Sequence, residues 1–219
     1  LGAALFTELA GRGNRILAIG RRFTDEQRGL AAAEPGRIRL YEADLAAPST
    51  LPDAADLRGF LSGSTDCSLI HNAGLVDPVA PIGQLPPATV TAAVAVNLTA
   101  PVLLTNAFVA AWPAGAEARV VFISSGAAHR VIEGWSVYSA TKRGAEMFFD
   151  ALAVEQPGMY VVNVNPGVMD TGMQATLRGS EFPDRDRYVS LHERGQLPDP
   201  ATVARRVISE HLERAITHE

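Results

Sequence analysis

Apolar positions along the chain switch repeatedly between two spacings. From Leu1 to Ala10 they fall three and four apart, which predicts a helix closed by Gly11 and Gly13. Arg15 to Gly20 (RILAIG) is a short, nearly continuous apolar run of the kind that makes a buried strand. Similar runs follow at Arg37 to Glu42, Cys67 to His71, Arg119 to Ile123 (RVVFI) and Tyr160 to Val164. Helical patterns separate them at about 24–33, 51–61, 88–111 and 138–155. Asp199-Pro200 opens a last helix, with the carboxylate as N-cap and proline at the first helical position. Residues 168–199 mix charge, Gly and Met and read as a mobile excursion. Val- and Ile-rich strands alternating with helices predict an α/β fold, a doubly wound, mostly parallel sheet with helices on both faces.

One segment challenges that reading. Residues 78–116 carry no charged side chain over 39 positions, long enough for a membrane span. The stretch also holds Asn97, Asn106, several Thr and several Pro, with Pro101 inside its most apolar part. A loop followed by a helix at 88–111, buried in the domain or against another subunit, accounts for it better. Proline has no N–H, so Pro101 deprives the carbonyl of residue 97 of its helical donor. A kink there frees that carbonyl for a water. A kink made for packing alone would leave the same mark.

Composition narrows the class. The 219 residues, 47% hydrophobic with net charge −5, suffice for one domain over 1–219 and lack the basic face that nucleic acid requires. A single cysteine, Cys67, forms neither an internal disulfide nor a zinc site, which points to the cytosol; it reads as a small buried hydrophobe. The five His share no ligand spacing, so no metal is expected. Of 19 basic residues all but Lys142 are Arg. A chain that uses Arg almost everywhere keeps Lys where a compact ammonium does what a planar guanidinium does not.

Lys142 lies four residues after Tyr138 on a predicted helix, so both project from one face. An ammonium beside a phenol favours phenolate, lowering its pKa from about 10 and making a better proton donor near neutral pH. An exposed Tyr–Lys contact would show the same spacing. Ser125, just past the strand RVVFI, stands 13 residues before Tyr138. In open parallel sheets ligands bind beyond the carboxyl ends of the strands. Polar and Gly-containing turns fall there repeatedly: Arg21-Arg22, Asp44, Asn72, Ser125 and Pro166-Gly167.

Ser125, Tyr138 and Lys142 match the S-x12-Y-x3-K signature of the short-chain dehydrogenase/reductase family. Asn72-Ala73-Gly74 matches its NAG turn, Asn97 its helix asparagine and Pro166-Gly167 its PG motif. The chain resembles this family over nearly its whole length. The stretches ISSGAAH, GWSVYSATK and NPGVMDTGMQ resemble its sepiapterin reductase and benzil reductase branch. The resemblance implies a Rossmann-type domain and an NADPH-dependent carbonyl reductase acting on a ketone or diketone. It implies that Tyr138 protonates the substrate oxygen while the nicotinamide delivers hydride to the carbonyl carbon. It gives Ser125 a hydrogen bond to that oxygen, its neighbour Ser124 fitting the spacing less well. It gives Lys142 the nicotinamide ribose and the lowering of the Tyr138 pKa, and Asn97 a water linking Lys142 to solvent. It also implies cofactor contacts from Gly2, Asn72, Ala73, Gly74, Pro166, Gly167 and Val168, from Asp44 and Leu45 around adenine, and from Thr171 to the nicotinamide amide or a phosphate.

Cofactor choice is read at the end of the strand Ala18-Ile19-Gly20. An acidic residue there takes the ribose 2′-OH of NAD, whereas Arg accommodates a 2′-phosphate. Here Arg21-Arg22 follow with no acid before Asp25, so NADP is expected over NAD. Two solvated arginines on a loop would look alike. Trp135, Met169, Met173 and Gln174 surround the expected pocket and suit a flat aromatic or dicarbonyl substrate, or pack as a lid within 168–199. His129 is either a substrate contact or a surface residue.

The pattern is broken at both ends. The family opens with a strand and the turn T-G-x3-G-x-G, and Leu1-Gly2 resembles the last two residues of that turn. The first strand, two glycines and a final strand are therefore expected to be missing, with two strand edges left open. No acidic residue matches the C-terminal pterin anchor of the sepiapterin reductase branch. The family's way of pairing helices implies a homodimer or homotetramer through 88–111 and 138–155. Two other readings stay open: an NAD-linked alcohol dehydrogenase of another branch, and a nucleotide-binding protein on the same fold without catalysis.

Overall fold

Strand β4 (Glu117–Ile123) organises the sheet, because every residue from Ala118 to Ile123 is buried. The computed structural model describes residues 1–180, 182–183 and 185–213, and no side chain at 174, 175, 178, 187 or 188. β4 pairs in parallel with β3 (Asp66–His71) on one flank and β5 (Met159–Val164) on the other. β1 (Ile16–Gly20) pairs in parallel with β2 (Ile38–Glu42) in register from Ile16 with Ile38 to Gly20 with Glu42. β1 and β3 share no ladder, so the sheet falls into a two-stranded and a three-stranded part, each with an open edge.

Alternation along β4 sorts its side chains to two faces. Val120 and Phe122 enter a cluster with Leu57 of α3 (Ala54–Leu61), Phe108 of α5 (Ala100–Ala111) and Phe149 of α6 (Ser136–Glu155). Phe122 and Phe149 stack with ring centroids 4.8 Å apart. Val121 and Ile123 point the other way, against Leu5 of α1 (Gly2–Gly11) and Val207 and Ile208 of α9 (Pro200–His211). Helices cover both faces, as the strand pattern requires.

Local signals account for most boundaries. Thr24 and Gln27 form a reciprocal capping box at the start of α2 (Asp25–Ala33), and Asp199 caps α9 through the Ala201 N–H. α3 starts three residues later than the apolar spacing implied. The reason is its cap: the Asp53 carboxylate accepts from Ala55 N–H and Asp56 N–H and fixes the first turn there. α1 runs through Gly11, which is helical; Gly13, at φ 80°, makes the reversal alone.

The helix expected at 88–111 is broken into α4 (Pro87–Val94) and α5, joined by a π-helical turn at Ala95–Thr99. Pro101 supplies the reason: with no N–H at 101, the chain closes a wider turn in which Ala100 N–H reaches the Ala95 carbonyl. Among the described residues this is the one helical stretch long and apolar enough to cross a bilayer. Here it packs against α3 and α6. The excursion expected at 168–199 instead carries two short helices, α7 (Gly172–Gly179) and α8 (Arg185–Glu193).

Candidate active site

A cavity of about 650 Å³ opens at the carboxyl ends of the strands. From β1 and β2 come Gly20, Arg21, Asp44 and Leu45; from β3, Asn72, Ala73 and Gly74; from β4, Ser124 and Ser125. Tyr138 and Lys142 of α6 and the segment Asn165 to Met169 close the other side, with Trp135, Thr171 and Met173 at the rim. Residues far apart in the chain therefore meet in one place because parallel strands deliver all their ends to the same edge.

Tyr138 is 4% exposed and Trp135 meets its ring edge-on at 5.8 Å. The Tyr138 hydroxyl lies 3.9 Å from the Met173 sulfur. Lys142, one turn on, is 3% exposed; its ammonium donates to the Ile123 carbonyl at 2.7 Å and lies 4.6 Å from the Phe122 ring centroid. Burial pushes Lys142 down to about 8, and the Glu146 carboxylate partly opposes that shift. Ser125 accepts from Ala127 N–H at 3.2 Å and so caps the turn Gly126–His129, keeping its own hydroxyl proton to donate. Ser124 spends its hydroxyl on Glu146 at 2.6 Å.

Asn97 sits in the π turn and is fully buried. Its side-chain oxygen accepts from Leu75 N–H and its amide donates to the Leu75 carbonyl, both at 2.8 Å, and to Thr141 Oγ1 at 3.1 Å. The side chain thus staples the NAG turn to α6. A Cβ at Gly74 would come within 3.4 Å of Asn97 Oδ1 and 3.5 Å of Lys142 Nζ, so the three are packed together.

The remaining expectations divide. Gly2 does not line the cavity, though Leu1 does. A Cβ at Gly2 would stand 2.5 Å from Asn72 Nδ2, so a larger residue there would have to displace the Asn72 amide. The first turn of α1 has no side-chain cap, so its amides are available to an anion at the cavity edge. Arg21 lines the cavity and lies 3.9 Å from Asp44, whereas Arg22 is exposed and does not line it. The chain turns at Arg21, and only one of two adjacent side chains faces inward. Val168, Met169, Thr171 and Met173 line the cavity as expected, as do Pro166 and Gly167, while the Gln174 side chain lies outside the described residues. His129 lines a second cavity of about 810 Å³ on the far side of the 126–130 turn.

Sequence reasoning missed Leu177 and Arg130, which also line the first cavity, and the buried pair Glu146 and His71 beneath it. A signal existed for Glu146, four residues after Lys142 as Lys142 is after Tyr138. His71 bonds Thr105 Oγ1 at 2.8 Å, and burial with the nearby Lys142 charge pushes it down to about 3. Between about pH 3 and 6.5 it is therefore neutral in the fold where an unfolded histidine binds a proton. Stability accordingly falls as pH drops from about 6.5 toward 3, by at most about 1.4 kcal/mol per pH unit from this group. Urea unfolding at a series of pH values should show His71→Asn with a shallower acid-side loss than wild type; equal slopes would refute this.

A family model described as short chain dehydrogenase matches residues 1–181. The chain is 32% identical to benzil reductase ((S)-benzoin forming) of Bacillus cereus over 222 residues, covering 94% of this chain and 88% of that protein. It is 34% identical to sepiapterin reductase of Rattus norvegicus over 188 residues, covering 82% of this chain and 68% of that one. Among solved structures, the KRED1-Pglu enzyme superposes with TM-score 0.82 at 26% identity, covering 98% of this chain and 91% of its own.

Proposed function

Because the chain belongs to the short-chain dehydrogenase family, we propose that this oxidoreductase is an NADPH-dependent carbonyl reductase acting on apolar ketones or diketones. The observation that carries the reading is the convergence of Ser125, Tyr138 and Lys142 on one cavity, with the buried Asn97 packed behind its wall against Gly74 and bonded to Leu75. The cavity's other groups fit a dinucleotide: open amides at the start of α1 for the pyrophosphate, and Asp44 and Leu45 for the adenine end. Asn72, Ala73, Gly74, Pro166, Gly167, Val168 and Thr171 hold its remaining length. Arg21, at the end of β1, favours the 2′-phosphate of NADP. When bound, the reduced nicotinamide supplies hydride.

Tyr138 gives its hydroxyl proton to the carbonyl oxygen as that oxygen gains charge, and Ser125 donates a second hydrogen bond to the same atom. The buried Lys142 ammonium stabilises the phenolate left behind and holds the ribose hydroxyls. Asn97 keeps the π turn, the NAG turn and α6 in one arrangement, and Pro101 leaves its carbonyl open to a relaying water. Trp135, Ile132, Val76, Met173 and Leu177 form one apolar cluster with Tyr138, which favours a flat aromatic or dicarbonyl substrate. Segment 168–199 serves as the lid, since Val168, Met169, Thr171, Met173 and Leu177 all reach the cavity.

Leu103 on α5, and Met147 and Val154 on α6, are exposed apolar residues at 41%, 59% and 82%, supporting a homodimer or homotetramer built on these helices. The free, buried Cys67 accords with a reducing cytosolic setting. The test is loss of 340 nm absorbance with NADPH or NADH over benzil, isatin and sepiapterin. Turnover of at least one carbonyl, faster with NADPH, is expected. Cofactor binding without turnover of any carbonyl would favour a nucleotide-binding protein, and NAD-linked alcohol oxidation alone would favour a dehydrogenase.

A further inference from the structure

Beneath the cavity lies a buried acid that the reaction just described leaves without a task. Glu146 is 5% exposed and sits one turn beyond Lys142 on α6. Its carboxylate takes the Ser124 hydroxyl at 2.6 Å, His129 Nε2 at 3.0 Å and the Arg143 guanidinium at 3.3 Å. Asn163 of β5 donates to its backbone carbonyl at 3.4 Å. A carboxylate taken out of water costs several kcal/mol unless such donors replace its hydration. A strut joining β4, the 126–129 turn and α6 would need no charge, and Gln or Asn would serve.

Two placements go beyond a strut. Ser124 immediately precedes Ser125, so its bond to Glu146 fixes the strand end from which Ser125 projects. Glu146 also shares a helix face with Lys142, four residues apart, in a region where Ser124 and Lys142 are 4% and 3% exposed. Charges interact strongly where so little water screens them. Lys142 otherwise faces a carbonyl, aromatic rings and, from β3, the neutral His71. The cations facing Glu146 are Lys142 and Arg143 of its own helix, and the His129 ring of the 126–129 turn is its other titratable neighbour. We propose that Glu146 is a positioning residue of the reaction: it supplies the counter-charge for the buried Lys142 ammonium and fixes the strand end that carries Ser125.

The effect on turnover rests on the role proposed for Lys142 above; the charge relation does not. Lys142 is the single lysine of the chain. Protein made with lysine labelled at Cε, free of any lysine-bearing tag, therefore gives one side-chain NMR signal whose pH titration reports this ammonium alone. Glu146→Gln keeps the shape and an acceptor for Ser124 but removes the charge, and should lower the Lys142 midpoint by about one pH unit. Arg143→Gln removes a cation from the exposed side of the same carboxylate and should raise it, by about a few tenths of a unit given solvent screening. With NADPH and a reducible carbonyl, the alkaline limb of kcat/KM should move in the same direction in each variant. A folded Glu146→Gln protein with an unmoved lysine midpoint, or a moved midpoint without a moved alkaline limb, overturns the proposal. Should that variant fail to fold, an unmoved or lowered midpoint in Arg143→Gln overturns it. A wild type that reduces no carbonyl overturns the reaction assigned above instead, a result the lysine titration does not depend on.

Discussion

Replacing Tyr138 by Phe should lower kcat for carbonyl reduction by about 10³-fold while leaving NADPH binding within about threefold of wild type. The ring sits 4% exposed with Trp135 edge-on at 5.8 Å, and Phe retains that ring. What the variant loses is the hydroxyl, the one titratable proton the proposed mechanism delivers to the substrate. An interaction used only in the transition state lowers kcat without weakening cofactor binding, whereas damage to packing lowers both and the melting temperature too. Steady-state rates, cofactor titration by fluorescence and a thermal melt together separate these cases. Near-wild-type turnover would remove Tyr138 from the role of acid.

Lys142→Arg should be nearly as severe, with kcat/KM down about 100-fold or more. In most surface settings this substitution is harmless, and the chain has otherwise adopted Arg throughout. At 142 the head group is confined between the Ile123 carbonyl, the Phe122 ring and the close approach of Gly74 and Asn97. A guanidinium is larger, planar and carries five N–H donors, most of which would find no acceptor there. It would displace Asn97 from Leu75 or push Arg itself toward the cavity, and in either case the ribose and phenolate contacts are lost. Measuring kcat/KM beside the melting temperature tests this. A wild-type rate in Lys142→Arg would mean that the position needs only positive charge.

What the sequence made legible follows from how far apart the informative residues lie. Tyr138 and Lys142 share a helix face, so their spacing alone placed them together. The turns after the strands were visible because Gly, Pro and Asn mark chain reversals, and parallel strands bring such turns to one edge. Pro101 announced a break at Asn97, but a missing N–H is met by a kink or by a wider turn, and nothing in the local sequence chose the π-helical form that packs against α6. The bond between Ser124 and Glu146 crosses 22 residues and two elements, and no local periodicity encodes it. α7 and α8 were missed because charge, Gly and Met are mixed through the segment; α7 is held at the cavity through Met173 and Leu177, and α8 packs on α7. Arg21 and Arg22 are chemically equal in sequence, and only the direction of the chain after β1 distinguishes them.

The central place of β4 bears on how the protein opens. Ser125, Tyr138, Lys142 and the Pro166-Gly167 turn ride on the three-stranded part, where β4 is laddered on both flanks. Arg21, Asp44 and Leu45 follow β1 and β2, and Leu17 of β1 packs against the same main cluster. Amides of β4 should exchange with solvent only through global unfolding. A dinucleotide lying along the cavity would touch residues at the ends of all five strands, and a ligand that binds the folded form alone stabilises it. On the proposed reading, the cofactor is then a fastener as well as a reagent.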